Sequence, residues 1–303
     1  VVALLNYMSQ ILVELVKLAN LIINITKALA CAGRVSAVLD IEPGLTGPKT
    51  GKLGRDASVV FENVELTYGG AGEPSLSGLS FSVGPGQTVG IIGGTGSGKS
   101  TLVNLIPRFY DATKGRVLVG GVDVREWDLN ALREKIGVVP QKGLLFTGTI
   151  RENLRFGKSA AGDEELWQAL DTAQAKDFVS EKPMGLDEPV EQSGRNFSGG
   201  QRQRLTIARA LVRRPEILIL DDSASALDLA TDARLRAAIR RLPDSPTVFI
   251  VSQRASSIRR ADLIIVLDDG APVGIGTHEQ LIEGCEVYRE IYETQFQKGE
   301  KGR

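Results

Sequence analysis

The sequence predicts an α/β fold: a mixed-sheet core carrying a phosphate-binding loop, preceded by one long apolar helix. Three observations predict it. The stretch Gly93-Gly94-Thr95-Gly96-Ser97-Gly98-Lys99-Ser100-Thr101 fits the pattern G-x-x-x-x-G-K-[ST]. Short, strongly apolar runs recur beyond it, at 136–139, 217–221 and 247–251, separated by segments of helical period. Ahead of it, residues 1 to 40 hold no glycine before Gly33, and the first proline is Pro43, so the chain reads there as one helix.

The loop has the flanks its chemistry requires. Thr88-Val89-Gly90-Ile91-Ile92 reads as a short buried strand, and Leu102 to Tyr110 as a helix with Leu102, Leu105 and Ile106 on one face. Glycines let successive backbone N–H groups converge on a phosphate, where any Cβ would crowd its oxygens. The following helix adds its N-terminal partial charge. Lys99 is placed for the β/γ-phosphates and the Ser100 hydroxyl for Mg²⁺. A glycine-rich turn with a chance lysine would leave both flanks unexplained, so the stretch predicts nucleoside triphosphate binding.

At 303 residues the chain holds one large domain with an appendage, or two small domains. Its formal net charge of −1 offers no basic field for nucleic acid, and no nucleic-acid partner is expected. Cys31 and Cys285 lie far apart without ligand spacing and read as incidental reduced thiols.

In the first helix the polar residues Asn6, Gln10, Glu14, Lys17, Asn20, Asn24 and Lys27 recur every three or four positions and gather into one stripe. Glu14 and Lys17 are spaced for a local ion pair. A strict rule of 18 uncharged apolar residues rejects a membrane span here, and a secretory signal fits poorly. A pore-lining membrane helix, a dimerisation helix and a helix lying in the membrane interface all remain open. A helix of 40 residues extends about 60 Å, twice the hydrocarbon thickness, so much of it would leave the membrane. The apolar pattern is already under way at Val1, as expected of a piece of a longer polypeptide. Residues 42–51 read as a linker by composition.

Beyond it, Val59 to Tyr68 alternates as an edge strand ending on an aromatic. Leu79 to Val83 and Arg116 to Val119 add strands, with Gly120-Gly121 as a turn. Gly148 to about Lys182 reads as helical. Ser198 is an N-cap opening a helix that runs to Val212. Ile217 to Asp221 is a buried strand ending in carboxylates, and Thr247 to Val251 is another, ending near Gln253.

With Ser198-Gly199-Gly200-Gln201 placed between the phosphate loop and Asp221, the chain resembles an ATP-binding cassette (ABC) exporter over essentially its whole length. The resemblance implies a last transmembrane helix with its cytosolic extension at 1–40, a linker at 41–54 and a nucleotide-binding domain at 55–300. That domain would have a RecA-like mixed-sheet core, an edge antiparallel β subdomain and a helical subdomain carrying the signature. The resemblance favours the pore-lining reading of the first helix. It implies a multi-pass cell-membrane protein with a cytoplasmic nucleotide domain, using ATP and Mg²⁺ and paired with a second half-transporter. By the same resemblance Tyr68 stacks on adenine, Gln141 reaches the magnesium, and Asp221 holds it through water. Ser225 to Asp228 speaks across the dimer, Ser198, Gly200 and Gln201 act on the opposed ATP, and His278 starts a helix without catalytic work.

Three positions depart from that pattern. Asp222 stands where most members place the glutamate that polarises water, and loss of one methylene withdraws the carboxylate by roughly an ångström. Gln253 replaces a histidine and cannot carry positive charge. Gln192 stands where a cross-talk glutamate is usual. With the signature intact, this resembles the degenerate half of a heterodimeric exporter. A homodimeric exporter with slow turnover and a soluble ABC ATPase acting on nucleic acid or ribosomes are the alternatives.

Overall fold

The computed structural model describes residues 1–41, 44–48 and 51–300, with side chains described to residue 295. Contacts divide the chain into two units, Val1–Thr46 and Gly47–Arg303. Of the stretch read as a linker, Glu42, Pro43, Lys49 and Thr50 lie outside the described residues.

In the first unit α1 runs unbroken over Val2–Leu39. Its Glu14 and Lys17 pair at 2.7 Å, both well exposed, so the pair adds little stability. None of its side chains is buried. Leu21, Ile22 and Ile23, which point in successive directions around the axis, are 54%, 57% and 50% exposed. An 18-residue window of mean hydropathy 1.5 makes α1 long and apolar enough to cross a membrane. The stricter rule of an uncharged run excluded it because isolated charges interrupt the run, whereas an average tolerates them.

The second unit opens with β1 (Val59–Leu66), β2 (Leu76–Val83) and β3 (Thr88–Gly93). After the phosphate loop come α2 (Lys99–Leu105), β4 (Lys114–Val119), β5 (Val122–Asp123), α3 (Leu129–Lys135) and β6 (Ile136–Val139). A mainly helical stretch follows, with β7 (Gly148–Thr149), α4 (Ile150–Arg155), α5 (Asp163–Thr172), α6 (Lys176–Ser180) and β8 (Pro189–Val190). The chain then alternates through α7 (Gly199–Leu211), β9 (Ile217–Asp221), α8 (Leu229–Arg240), β10 (Thr247–Val251), α9 (Ala255–Ile258) and β11 (Leu263–Asp268). It closes with β12 (Ala271–Gly276), α10 (His278–Gly284) and α11 (Glu286–Glu300).

A six-stranded sheet in the order β12-β11-β3-β10-β9-β6 forms the core, parallel except for β12. Its central strands are apolar throughout because both faces are covered. Successive side chains still point opposite ways, so each strand feeds two cores. Ile91, Ile219, Phe249 and Ile265 join α2 and the antiparallel strands on one face. Ile92, Leu220, Ile250 and Ile264 join the helical stretch and the C-terminal helices on the other.

A separate antiparallel sheet has the order β2-β1-β4-β5. Here β1, expected at an edge, lies between β2 and β4. Its alternation records one buried face, which an interior antiparallel strand shows as well as an edge strand. Gly120 and Gly121 make the β4–β5 turn with φ of 58° and 78°, the left-handed pair a two-residue hairpin requires. Two helical expectations are shortened. α2 ends at Leu105, two residues before Pro107, with Arg108 at a φ of 51°. The 148–182 stretch is broken into α4, α5 and α6, with Gln174 at a φ of 58° between the last two.

Candidate nucleotide-binding site

The phosphate loop joins the C-terminal end of β3 to α2. Its first and last glycines are forced by close approach. A Cβ on Gly93 would lie 2.1 Å from the Leu267 carbonyl oxygen, and one on Gly98 2.7 Å from the Leu76 side chain, with Gly98 at a φ of 90°. At Gly94 and Gly96 a Cβ would meet nothing within 4 Å. That open space along the loop leaves room for a phosphate group.

Lys99 lies folded into the loop, 9% exposed. Its Nζ donates to the Gly93 carbonyl at 3.0 Å, to the Gly94 carbonyl and to Ser97 Oγ at 3.2 Å. Burial pushes its pKa down, while the charges of Asp222 and Asp221 oppose that shift. Ser100 Oγ donates to Asp221 Oδ1 at 2.9 Å, which brings the end of β9 against the start of α2. Burial, with Asp222 alongside, raises the Asp221 pKa against the Ser100 hydrogen bond and Lys99. Thr101 Oγ1 accepts from the Tyr68 hydroxyl at 3.1 Å, and Tyr68 meets Tyr110 edge to face with centroids 4.9 Å apart.

Asp222 sits just past β9 at a φ of 45°, a conformation aspartate tolerates better than most residues. Its N–H donates to the Val251 carbonyl at 3.0 Å, and its carbonyl accepts from the Ser225 hydroxyl at 2.8 Å. Gln141 Nε2 donates to its carboxylate at 3.1 Å. Burial raises its pKa, opposed by Gln141, Lys99 and Arg254. Gln253 follows β10 with its side chain exposed.

Ser198, Gly200 and Gln201 stand apart from this group. Ser198 caps α7 in a reciprocal box: its Oγ accepts from the Gln201 N–H at 3.2 Å, and Gln201 Oε1 accepts from the Ser198 N–H at 2.9 Å. The Gln201 side chain is thereby committed to its own helix start. A Cβ on Gly200 would lie 3.1 Å from the Ala226 carbonyl oxygen, so α7 begins against the 225–228 loop. Among the described residues no hydrogen bond joins these three to the phosphate loop.

Three side chains that the sequence did not single out tie the parts together. Gln203, buried on α7, donates to the Pro140 carbonyl at 3.2 Å, next to Gln141. Arg254 donates to the Leu227 and Ser225 carbonyls at 3.1 and 3.2 Å. Gln295 of α11 donates to the Gln253 carbonyl at 2.7 Å and accepts from the Ala255 N–H at 2.9 Å. Only Gln203 had a local signal, a polar residue at an inward position of an amphipathic helix.

The donor set suits Mg²⁺. Ser100 and Asp221 supply hard oxygens in mutual contact, and Mg²⁺ ordinarily takes its remaining ligands from water and phosphate.

A strand, a glycine-rich loop cradling open space and a carboxylate-terminated neighbouring strand define a phosphate-loop nucleotide-binding domain. Residues 76–225 match the family model described as ABC transporter. An uncharacterised ABC transporter ATP-binding protein of Mycobacterium tuberculosis is 44% identical over 300 residues, covering 97% of this chain and 51% of that protein. An ATP-dependent lipid A-core flippase of Vibrio vulnificus is 39% identical over 286 residues, 93% of this chain and 48% of that one. A bacterial Atm1-family ABC exporter solved with ATP bound superposes with a TM-score of 0.84 at 34% identity, over 89% of this chain and 48% of that chain. The chain belongs to the ABC transporter family, and its second unit is the family's ATP-binding domain. It spans about half the length of the curated relatives it matches.

Proposed function

We propose that the chain is the ATP-driven portion of one half of an ABC exporter, coupling ATP binding and turnover to solute export, and that its own ATP site is catalytically impaired. One observation carries the dimeric reading. Among the described residues, the phosphate-loop group and the Ser198–Gln201 group share no hydrogen bond. A signature that acts on the γ-phosphate therefore acts on ATP held by a second half-transporter. The similarity to an exporter solved with ATP bound supports the same reading.

In this reading Tyr68 packs against adenine, and Gly93 to Thr101 hold the phosphates. Lys99 exchanges its loop oxygens for β/γ-phosphate oxygens. Ser100, Asp221 and Gln141 would hold Mg²⁺, which would supply charge neutralisation at the phosphates. Asp222 is the residue in place to polarise water, and Gln141 fixes its orientation. The aspartate is a methylene short, and Gln253 offers the γ-phosphate a neutral donor, so both changes weaken the same step. α1 spans the membrane in company with other helices, its polar stripe facing them or water, and the nucleotide domain lies in the cytoplasm.

A homodimer with slow turnover is the second reading. It is favoured by Asp222 still being a carboxylate held in place by a hydrogen bond. Paired rate measurements separate the two. In a heterodimer with a partner of intact catalytic residues, Ser198→Ala should cut steady-state ATPase by roughly 100-fold, as for loss of a transition-state donor. Asp222→Ala in the same assembly should change it little. If Asp222→Ala proves the more damaging, this chain's own site is the working one.

A further inference from the structure

Away from the phosphate loop, α8 and the segment from α9 to Arg260 form an open surface groove with a volume of about 350 Å³, lined by Ala233, Arg236, Ala237, Arg240, Ser256, Arg259 and Arg260, all exposed except half-buried Arg236. Its charge is one-sided. Arg236 is balanced: it grips buried Asp232 through Nε and Nη2, at 3.2 and 2.9 Å. Among the described residues, Arg240, Arg259 and Arg260 form no ion pair. Of the nearby carboxylates, Asp262 accepts from the Thr88 N–H at 2.7 Å, while Glu279, held by its own helix start and the Thr277 hydroxyl, lies close enough to Arg259 for their charges to interact.

Three of the arginines are also held in place. Arg236 Nη1 donates across the groove to the Ser257 carbonyl at 2.8 Å. Arg240 Nη2 donates to the Arg260 carbonyl at 2.6 Å. Arg259 rests over the Tyr292 ring, 6.0 Å from its centroid. Arg240 thus spends one of its guanidinium donors on the protein and keeps the others free. Arg240 and Arg260 stand on one groove without a facing carboxylate, an arrangement that an anion of several charges favours. Planar donor forks are the side chains best matched to phosphate oxygens. The volume falls within the usual range for small-ligand sites, about 300–1,000 Å³.

We propose that this arginine cleft is a second anion site, separate from the ATP loop, that takes a multiply charged phosphate group. The phosphate belongs either to a free organic phosphate or to a lipid headgroup. The test uses the 303-residue chain in detergent, carrying Lys99→Ala to silence the phosphate loop. Calorimetric titration with inorganic pyrophosphate should show binding. Arg240→Gln with Arg260→Gln should weaken it about tenfold or more, the scale of lost charge-assisted contacts. Arg213→Gln with Arg241→Gln, outside the wall between α8 and α9, should leave it unchanged, and the cleft variant with Lys99 intact should keep its ATP affinity. Tighter binding of phosphatidic acid in mixed micelles, whose headgroup is a phosphate monoester, than of pyrophosphate, with the same dependence on the two cleft arginines, would support the site and assign its phosphate to a lipid. Absence of binding by both probes would overturn the proposal, as would equal weakening by both pairs of substitutions.

Discussion

At the scale of single residues, Lys99 is satisfied before any ligand arrives, by two carbonyls and a hydroxyl of its own loop. Binding a phosphate therefore exchanges partners and leaves no charge bare, and Asp221 and Asp222 favour the charged amine throughout. Lys99→Ala should weaken Mg-ATP binding by roughly 10- to 100-fold, the worth of a hydrogen bond to a charged group. Titration with a fluorescent ATP analogue measures it, and undiminished binding would refute the assignment. Trp127 shows the opposite kind of residue, one that serves only the core. It is fully buried, and its indole N–H donates to the Val119 carbonyl at 3.1 Å. Trp127→Ala should cost about 3–5 kcal/mol of stability, read as a shift of the urea unfolding midpoint. Trp127→Phe, which keeps much of the volume and loses the hydrogen bond, should cost clearly less.

Among the elements, α10 and α11 meet around the sole histidine. His278 Nδ1 lies 2.9 Å from the Tyr288 hydroxyl, its ring is 5.0 Å from that of Tyr292, and Arg259 and Glu279 are the charges that act on it. Burial first, and Arg259 second, hold its pKa below 6.5. The unfolded chain thus takes up the proton more readily. Stability is intact above pH 6.5 and is lost as pH falls through that value towards the lower folded pKa. His278→Gln should flatten the fall in melting temperature between about pH 7 and about pH 5; an unchanged slope would show that other groups set it. His278 was legible as a helix start, and so were the phosphate loop, the Ser198 cap and the apolar strands. Each of those is written in neighbouring residues. The interior place of β1 was not legible, nor were the partners of Arg254 and Gln295, because these depend on strands and carbonyls distant in sequence. Periodicity shows which face of an element is buried and is silent about what buries it.

For the molecule as a whole, α1 and the nucleotide domain make opposite demands on their surroundings. Almost every heading around α1 presents an exposed Leu, Ile or Val, apart from the stripe from Asn6 to Lys27. Single cysteines along that stripe, in the full-length transporter, should react with aqueous thiol reagents, and those on the opposite face should not. Equal labelling of both would indicate a helix simply exposed to water. The domain's own order of assembly follows from the position of β3. Both its neighbours, β10 and β11, come from far down the chain, and Thr88 pairs with Val248 about 160 residues later. At the usual pace of translation that gap is roughly ten to thirty seconds. Throughout that interval the ribosome-bound chain has made its phosphate loop but has no sheet on which to mount it. ATP thus has no finished cradle until the strands on both sides of β3 have been made, so an unfinished cassette is spared futile nucleotide capture.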